Sequence, residues 1–386
     1  MNRRSARIVC VLSSLIALLL IFPRGARAQT PWTIPNGVDQ HALSEFQPFN
    51  FKEPLPRKTR FEDMLPMLPI SELVDKGVIE NWWYNASLKG SDGKEYVLVY
   101  NFDHSRVMGL HFMFSELGAP DKPLPPPLYR AQLTKEKFEV DLASKRVTFV
   151  YSDGQGQQVR TEIFAPEGMD VTAELNHGFK LELRFRSRGT PYCYPQVGSV
   201  KGNVFESGFE DLSLVEGALY SNNTKIQLSG TGVQERVRWS WVGIPLDITI
   251  PPVVTKNDWF PINLDRGYVL VDRGKDIYGQ EFRSGAVSID GQYWYVSDPG
   301  KIKIELTGEA DEWPAQAHIV MDTDGGRLEL FGTLEGKAMN VPEGKGYVNY
   351  PIYDFKGTFT YKDGRSLALS GGGNWLEHRR VIPGKF

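Results

Sequence analysis

Glu80 opens the run Glu80-Asn81-Trp82-Trp83-Tyr84, and Glu235 leads into Arg236, Val237, Arg238 and Trp239. A carboxyl group pressed against aromatic faces loses hydration, which raises its pKa and keeps it protonated, the state that a proton donor to an alkene needs. Each glutamate also fits a structural role: Glu80 as a strand-entry residue in a salt bridge, Glu235 as half of an ion pair with Arg236 or Arg238. Alternation along a strand puts Glu235, Val237 and Trp239 on one face and Arg236 and Arg238 on the other. Glu235 and Trp239 can therefore share a cavity while Arg236 points away. Tyr192 and Tyr194 also share a face, with Cys193 opposite, and a phenol can donate a proton or orient a carbonyl. Pro191 and Pro195 place that segment at a bend.

Other chemistries find little support. Cys193 has no histidine beside it and no glycine elbow, so it reads as a plain thiol. His104 and His111 are seven positions apart and would face opposite sides of one strand. No His-x-His or Cys-x-x-Cys pair occurs, and no metal site is expected. No Gly-x-Gly-x-x-Gly follows a strand into a helix, and neither a Walker loop nor a Gly-x-Ser-x-Gly elbow is present. The expected cofactor set is therefore none.

The elements that must hold these residues are strands. Trp82 to Tyr84 and Tyr96 to Tyr100 flank an Asp92-Gly93 turn, and a glycine at positive φ gives such a turn the twist of its strands. Phe179, Leu181, Leu183 and Phe185 alternate with Lys180, Glu182, Arg184 and Arg186, the period of a strand with one buried face. Asp-Gly pairs recur at 153–154, 290–291, 324–325 and 363–364 between similar runs. The fold class is all-β, a barrel or sandwich, with at most one short helix before residue 78. A repeat separates one unit from two. Leu228-Ser229-Gly230-Thr231-Gly232 is echoed by Leu369-Ser370-Gly371-Gly372-Gly373, about 140 residues later, and a glutamate beside a basic residue follows each. That period suggests two duplicated barrels. The expected organisation is a signal segment at 1–28, an extended lead-in at 29–69, a first barrel at 70–250 and a second at 251–386, with the boundary near Pro251-Pro252. The three glycines at 371–373 read as a bulge or tight turn that lets the last strand close its barrel.

Residues 1–28 read as an export address. Arg3, Arg4 and Arg7 precede an apolar run from Ile8 to Phe22, and Ala26-Arg27-Ala28 supplies the small residues of a cleavage site. The run is short for a membrane span, and no second one follows. Removing the segment takes away five arginines and no acid, moving the formal charge from −3 to −8. So acidic a chain is a poor nucleic-acid binder, because neutralising phosphates dominates that binding. Cys193 then remains alone, and export without a disulfide fits a bacterial periplasm.

Glu80-Asn81-Trp82-Trp83-Tyr84, followed by the Gly90-x-x-Gly93-x-x-Tyr96 hairpin, resembles the opening of the lipocalin-like family named after AttH. That group includes carotenoid 1,2-hydratase and, more distantly, fungal lipocalin-like cyclases and Diels-Alderases. Tyr192-Cys193-Tyr194 looks like its Tyr-Tyr-Tyr segment, and Gly230 to Arg236 sits where its Gly-x-x-Trp-x-Asp-His stretch belongs. Here Val233 replaces the Trp, Glu235 the Asp and Arg236 the His, so a carboxylate at Glu235 is what carries over. Trp375-Leu376-Glu377-His378 is closer to that stretch, in the second barrel. The resemblance implies two lipocalin-like antiparallel β-barrels in tandem. It also implies a ligand pocket, mainly in the first barrel, lined by Trp82 or Trp83, Tyr192, Tyr194 and Trp239. Glu235 is then the first catalytic candidate and Glu80 the second.

Three functional classes follow. One is a cofactor-independent lyase or isomerase acting on an apolar small molecule such as a terpenoid, polyketide or aromatic; the family resemblance puts it first. The others are a carrier of lipophilic ligands and a glycan-binding or structural envelope protein. Aromatic residues make up 12% of the chain, which suits a dry cavity as well as sugar stacking.

Overall fold

The computed structural model describes residues 61–64, 78–104, 110–118, 128–129, 135–164, 167–193, 204–221, 224–241, 254–276, 281–296, 298–308, 313–343 and 346–380. The expected signal segment, nearly all of the lead-in and the expected short helix lie outside them, as do residues 242–253, where the Pro-rich boundary is expected. The described residues all fall in one compact unit. Apart from short 3-10 turns, the described elements are strands, and every pairing between them is antiparallel. No described helix is long and apolar enough to cross a membrane.

Two sheets account for the strands. Among the described residues the first has twelve, β1 (Val78–Gly90), β2 (Glu95–His104), β3 (His111–Glu116), β4 (Leu128–Tyr129), β5 (Lys135–Asp141), β6 (Arg146–Ser152), β7 (Gln158–Phe164), β8 (Gly168–Leu175), β9 (Phe179–Ser187), β10 (Tyr192–Cys193), β11 (Val204–Ser221) and β12 (Thr224–Trp241), in the order β4-β3-β2-β1-β12-β11-β9-β8-β7-β6-β5, with β10 beside β11. The second has ten, β13 (Val254–Leu264), β14 (Gly267–Asp276), β15 (Glu281–Ile289), β16 (Gln292–Val296), β17 (Ile302–Thr307), β18 (Gln316–Asp322), β19 (Gly326–Glu343), β20 (Gly346–Tyr361), β21 (Ser366–Trp375) and β22 (Glu377–Arg380), in the order β16-β15-β14-β13-β22-β20-β19-β18-β17, with β21 beside β20. Each therefore carries its last strand against its first. In the first, β12 (Thr224–Trp241) runs along β1 (Val78–Gly90); in the second, β22 (Glu377–Arg380) runs along β13 (Val254–Leu264).

Both sheets curl into half-barrels. Trp82 on β1 and Phe149 on β6 (Arg146–Ser152) are six strand spacings apart, about 29 Å in a flat sheet at about 4.8 Å each. Their ring centroids are 5.2 Å apart, so this face closes on itself. Tyr100 on β2 (Glu95–His104) likewise reaches Thr161 on β7 (Gln158–Phe164), hydroxyl to hydroxyl at 2.7 Å. In the second sheet Trp294 on β16 (Gln292–Val296) stacks on Phe359 of β20 (Gly346–Tyr361) at 5.1 Å. The first interior is built largely of aromatic rings, including Trp82, Tyr84, Phe102, Phe149 and Phe185, while the second is mainly aliphatic.

The repeated glycines sit at the two closures. A Cβ on Gly230 would lie 1.9 Å from the carbonyl oxygen of Ser87 on β1, and one on Gly371 would lie 2.0 Å from that of Asn263 on β13. After Gly371 the ladder between β20 and β21 (Ser366–Trp375) shifts register, and Gly373 takes a φ of 69°, which is the expected bulge. At the Asp290-Gly291 turn both residues have positive φ, 51° and 79°, the pair of left-handed residues that a two-residue hairpin requires.

The sheets are tied together by the segment after β9 (Phe179–Ser187). Arg188 donates to Asn263 Oδ1 at 3.1 Å and to the Leu264 carbonyl at 2.9 Å. The Tyr268 hydroxyl donates to the Thr190 carbonyl, and Tyr192 shares a hydrogen bond with Ser284 at 2.8 Å. Two mixed apolar clusters fill the layer between the half-barrels, one around Tyr192, Leu212, Trp259 and Leu270, the other around Val97, Val99, Tyr350 and Trp375.

Candidate functional site

Alternation along β1 sends Trp82 inward and Trp83 outward. Trp82 is fully buried, stacked on Phe102 at 5.3 Å, with the Arg236 guanidinium 4.7 Å from its ring centroid. Arg236 thus belongs to the first interior, facing away from Glu235 as alternation requires. Trp83, by contrast, stacks on Tyr350 of the second sheet at 5.9 Å. Trp82 and Trp83 do not share one surface.

Residues opposite Trp83 across the ladder share its outward face. Trp83 pairs with Glu235 on β12, Glu235 with Glu210 on β11 (Val204–Ser221), and Glu210 with Tyr192 on β10 (Tyr192–Cys193). Three residues expected from the sequence, Trp83, Glu235 and Tyr192, therefore fall in one row, and Glu210, not anticipated, stands in the middle of it. The side chains of Glu80 and Trp239, and all of Tyr194, lie outside the described residues; in the ladder Glu80 stands opposite Arg238 and Trp239 opposite Ile79.

The second sheet supplies a matching row. Trp259 on β13 pairs with Glu377 on β22, and Glu377 Oε2 accepts from the Tyr350 hydroxyl of neighbouring β20 at 3.1 Å. The two rows engage reciprocally: Trp259 donates its indole N–H to Glu210 Oε1, while Trp83 stacks on Tyr350. In each half the tryptophan of the first strand reaches the residue on the third strand of the other half's row. Glu235 and Glu377 hold equivalent places, each following its Leu-Ser-Gly repeat and each opposite its own half's tryptophan.

Glu210 is fully buried, and its Oε2 has no hydrogen-bond partner. Burial pushes its pKa well above the usual carboxylate range; the charge of Glu235 adds to that, the Trp259 hydrogen bond opposes it, and Asp272 and Glu377 raise it further. The protonated acid is favoured. Glu377 is placed differently, half-buried with Arg379 Nε donating to its Oε1 at 3.2 Å. The layer thus offers a proton donor and carboxylates able to take a proton back, the complement that acid-base chemistry needs. Tyr192 is a weaker acid than an ordinary phenol, first because it is buried and then because of Tyr295.

A set of amides lines the same face. Asn81 and Asn85 alternate with Trp83 along β1, and Asn101 stands opposite Trp83 on β2. All three are buried; Asn81 and Asn101 each leave the carbonyl oxygen without a partner, and Asn85 leaves both its oxygen and its nitrogen so. The indole nitrogens of Trp83 and Trp375 are also buried and unpartnered. Each such group costs about 1–3 kcal/mol in a closed apolar layer, so this face is built for something polar that meets it. The signal for it was present in Asn81-x-Trp83-x-Asn85-x-Ser87, a polar face behind the apolar Trp82, Tyr84, Ala86 and Leu88. Glu210 gave less notice: Glu210-Asp211 reads as an ordinary solvated pair. Among the described residues no group of three or more His, Cys, Asp or Glu is arranged to hold a metal ion.

No family model matches the chain, and no curated protein matches it in sequence. Among solved structures, CghA with Sch210972 is similar at a TM-score of 0.57 and 12% identity, covering 86% of this chain and 97% of its own. A Nitrosomonas europaea protein assigned as an AttH (NE1406) is similar at 0.43 and 12% identity, over 80% of this chain and 94% of its own. Kievitone hydratase from Nectria haematococca is similar at 0.44 and 10% identity, over 78% and 89%. At these identities the likeness is one of fold, and the tandem lipocalin-like architecture expected from the sequence is the one the chain adopts.

Proposed function

We propose that this chain is an exported, cofactor-independent enzyme of lyase or isomerase type, acting on a small, largely apolar molecule by proton transfer between its two half-barrels. The observation that carries this reading is Glu210, a buried carboxyl held by an indole from the other sheet and with its second oxygen unpartnered. In a low-dielectric layer such an acid donates its proton to a double bond or a departing hydroxyl with little competition from solvent. Glu235, beside it in the ladder, is the group that takes a proton back, and Glu377 faces the same layer from the other sheet. Trp83 and Tyr350 present flat faces for an unsaturated ligand, and the amides of Asn85 and Asn101 suit a carbonyl or hydroxyl on it. CghA, solved with Sch210972, supports the reading only through shared fold. Export rests on the basic start, the apolar run and Ala26-Arg27-Ala28.

The test is to purify wild-type and Glu210→Gln protein in parallel, release the bound small molecules and identify them by mass spectrometry. A compound on the variant that the wild type converts to an isomer, or to a product differing by the elements of water, supports the enzyme. The same unchanged compound on both proteins, with no conversion on prolonged incubation, makes the protein a carrier.

A further inference from the structure

The second half-barrel holds another group of ionisable side chains, remote in role from Glu210. Asp258, Phe260, Ile262 and Leu264 alternate along the inward face of β13, so Asp258 stands at one end of the second interior. It is fully buried. Its Oδ1 lies 2.8 Å from His378 Nδ1 and accepts from Arg380 Nη2 at 2.9 Å, while Oδ2 accepts from Arg273 Nε at 2.7 Å. An ionised carboxylate only accepts, so His378 Nδ1 must carry the proton in this bond. The other ring nitrogen, Nε2, lies 3.5 Å from the Tyr347 hydroxyl. Tyr347 is half-buried and marks the accessible end of the series.

The register supplies a second observation. Arg380, Lys256, Lys275 and Glu281 stand opposite one another across β22, β13, β14 (Gly267–Asp276) and β15 (Glu281–Ile289), and so do His378, Asp258, Arg273 and Arg283. Among these described residues five cations, Lys256, Arg273, Lys275, Arg283 and Arg380, face two carboxylates, Asp258 and Glu281. Cations therefore outnumber carboxylates among these described residues. The corresponding place in the first half-barrel holds Arg236 over Trp82, a cation on a ring.

We propose that this end of the second half-barrel is a separate proton-transfer site, in which the Tyr347 hydroxyl, relayed through His378 to Asp258, meets a small carboxylate-bearing ligand drawn by the surrounding cations. The Tyr347 proton moves to His378 Nε2, and the resulting phenolate takes a proton from the ligand, whose bonding electron pair stays on the ligand. Asp258 balances the imidazolium, and the reverse transfers restore both groups.

Carboxybenzenesulfonyl fluoride tests this on the full chain. It carries the expected charge and reports a reactive tyrosine: the phenolate oxygen bonds to sulfur, the sulfur–fluorine bond breaks, fluoride leaves and the phenolic proton goes to His378. Tyr361 and Tyr220 are internal references, since both are half-buried with a cation over the ring, Arg365 at 4.7 Å and Lys225 at 5.5 Å. Peptide mass mapping is expected to show Tyr347 labelled about 10²-fold faster than either reference. It should also react faster with this reagent than with neutral benzenesulfonyl fluoride, and fall to the reference rate in His378→Gln. Should that variant not fold, protection of Tyr347 in the wild type by excess benzoate, with no protection of Tyr361, supports the proposal in its place. Labelling of Tyr347 no faster than of Tyr361, an unchanged rate in folded His378→Gln, or no protection by benzoate would overturn it.

Discussion

Trp259 of the second sheet donates its indole N–H to Glu210 of the first, and this bond fixes one oxygen of a fully buried carboxyl while leaving the other open. Glu210→Gln keeps an acceptor for the indole and removes the proton. If Glu210 is the acid of the reaction, turnover falls by about 10²–10⁴-fold in that variant. Trp259→Phe should act through the fold as well, since it strips a buried carboxyl oxygen of its donor at a cost of about 1–3 kcal/mol, read by denaturant unfolding.

The same carboxyl makes stability depend on pH. Its folded pKa lies above the unfolded value of about 4.5, so the folded chain binds more protons than the unfolded one in the window above that value. Stability contributed by Glu210 is full below pH 4.5 and is lost as pH rises toward the folded pKa, by about 1.4 kcal/mol per pH unit. Melts of wild type and Glu210→Gln between pH 5 and 8 should show the wild type losing ground to the variant as pH rises. Parallel curves would mean that Glu210 is ionised throughout.

Asp258 has the opposite sign. Burial would raise its pKa, but the His378 hydrogen bond and the charges of Arg380 and Arg273 outweigh burial and hold it at about 2. Its contribution is present above the unfolded value of 3.8 and disappears as pH falls toward 2. That loss should amount to about 2–3 kcal/mol. Asp258→Asn should be less stable at neutral pH by about 3–5 kcal/mol, because Arg273 and Arg380 lose their buried partner. Acid titrations followed by circular dichroism compare the two proteins directly.

Gly371 and Gly372 should respond unequally. Gly371→Ala drives a methyl group into the backbone of β13 and should cost about 1–3 kcal/mol or prevent folding. Gly372 looks outward, with Glu335 side-chain oxygens at 3.4 Å as its nearest neighbours, so Gly372→Ala should stay within about 0.5 kcal/mol of wild type. Thermal melts of the pair decide whether closure against Asn263 is what the repeat encodes.

Asn85 tests the amide face. Its side chain has no partner in the protein, so Asn85→Ala should leave the unliganded fold as stable as before, or more so. Retention of the co-purifying ligand should drop. A large loss of stability with unchanged ligand content would make Asn85 structural.

Much of the fold could be read in the chain because its signals are local. Alternation in Phe179 to Arg186, the Asp-Gly turns and the two Leu-Ser-Gly repeats each act over a few residues, and β9 has the alternating burial its sequence requires. The site was legible only in part. Alternation separates Glu235 from Arg236 and Trp82 from Trp83, but it does not say which face a second sheet will cover. Covering the outward face turned Glu210, a residue that looks solvated in sequence, into a buried acid. His378 and Asp258 are 120 positions apart, and nothing in the local pattern of either announces the other.

The reciprocal contact between the half-barrels has a further meaning. A surface on which each copy's tryptophan docks onto its twin's third strand is self-complementary, the kind of patch that two identical chains use to form a closed pair. Joining both copies in one polypeptide removes the dilution penalty of such a pair, whose integrity would otherwise track protomer concentration. It also lifts the requirement of sameness: mutation can now alter one side without altering the other. Glu210 and Tyr350 occupy matching stations and have become an acid and a phenol, a division of labour unavailable to a symmetric homodimer.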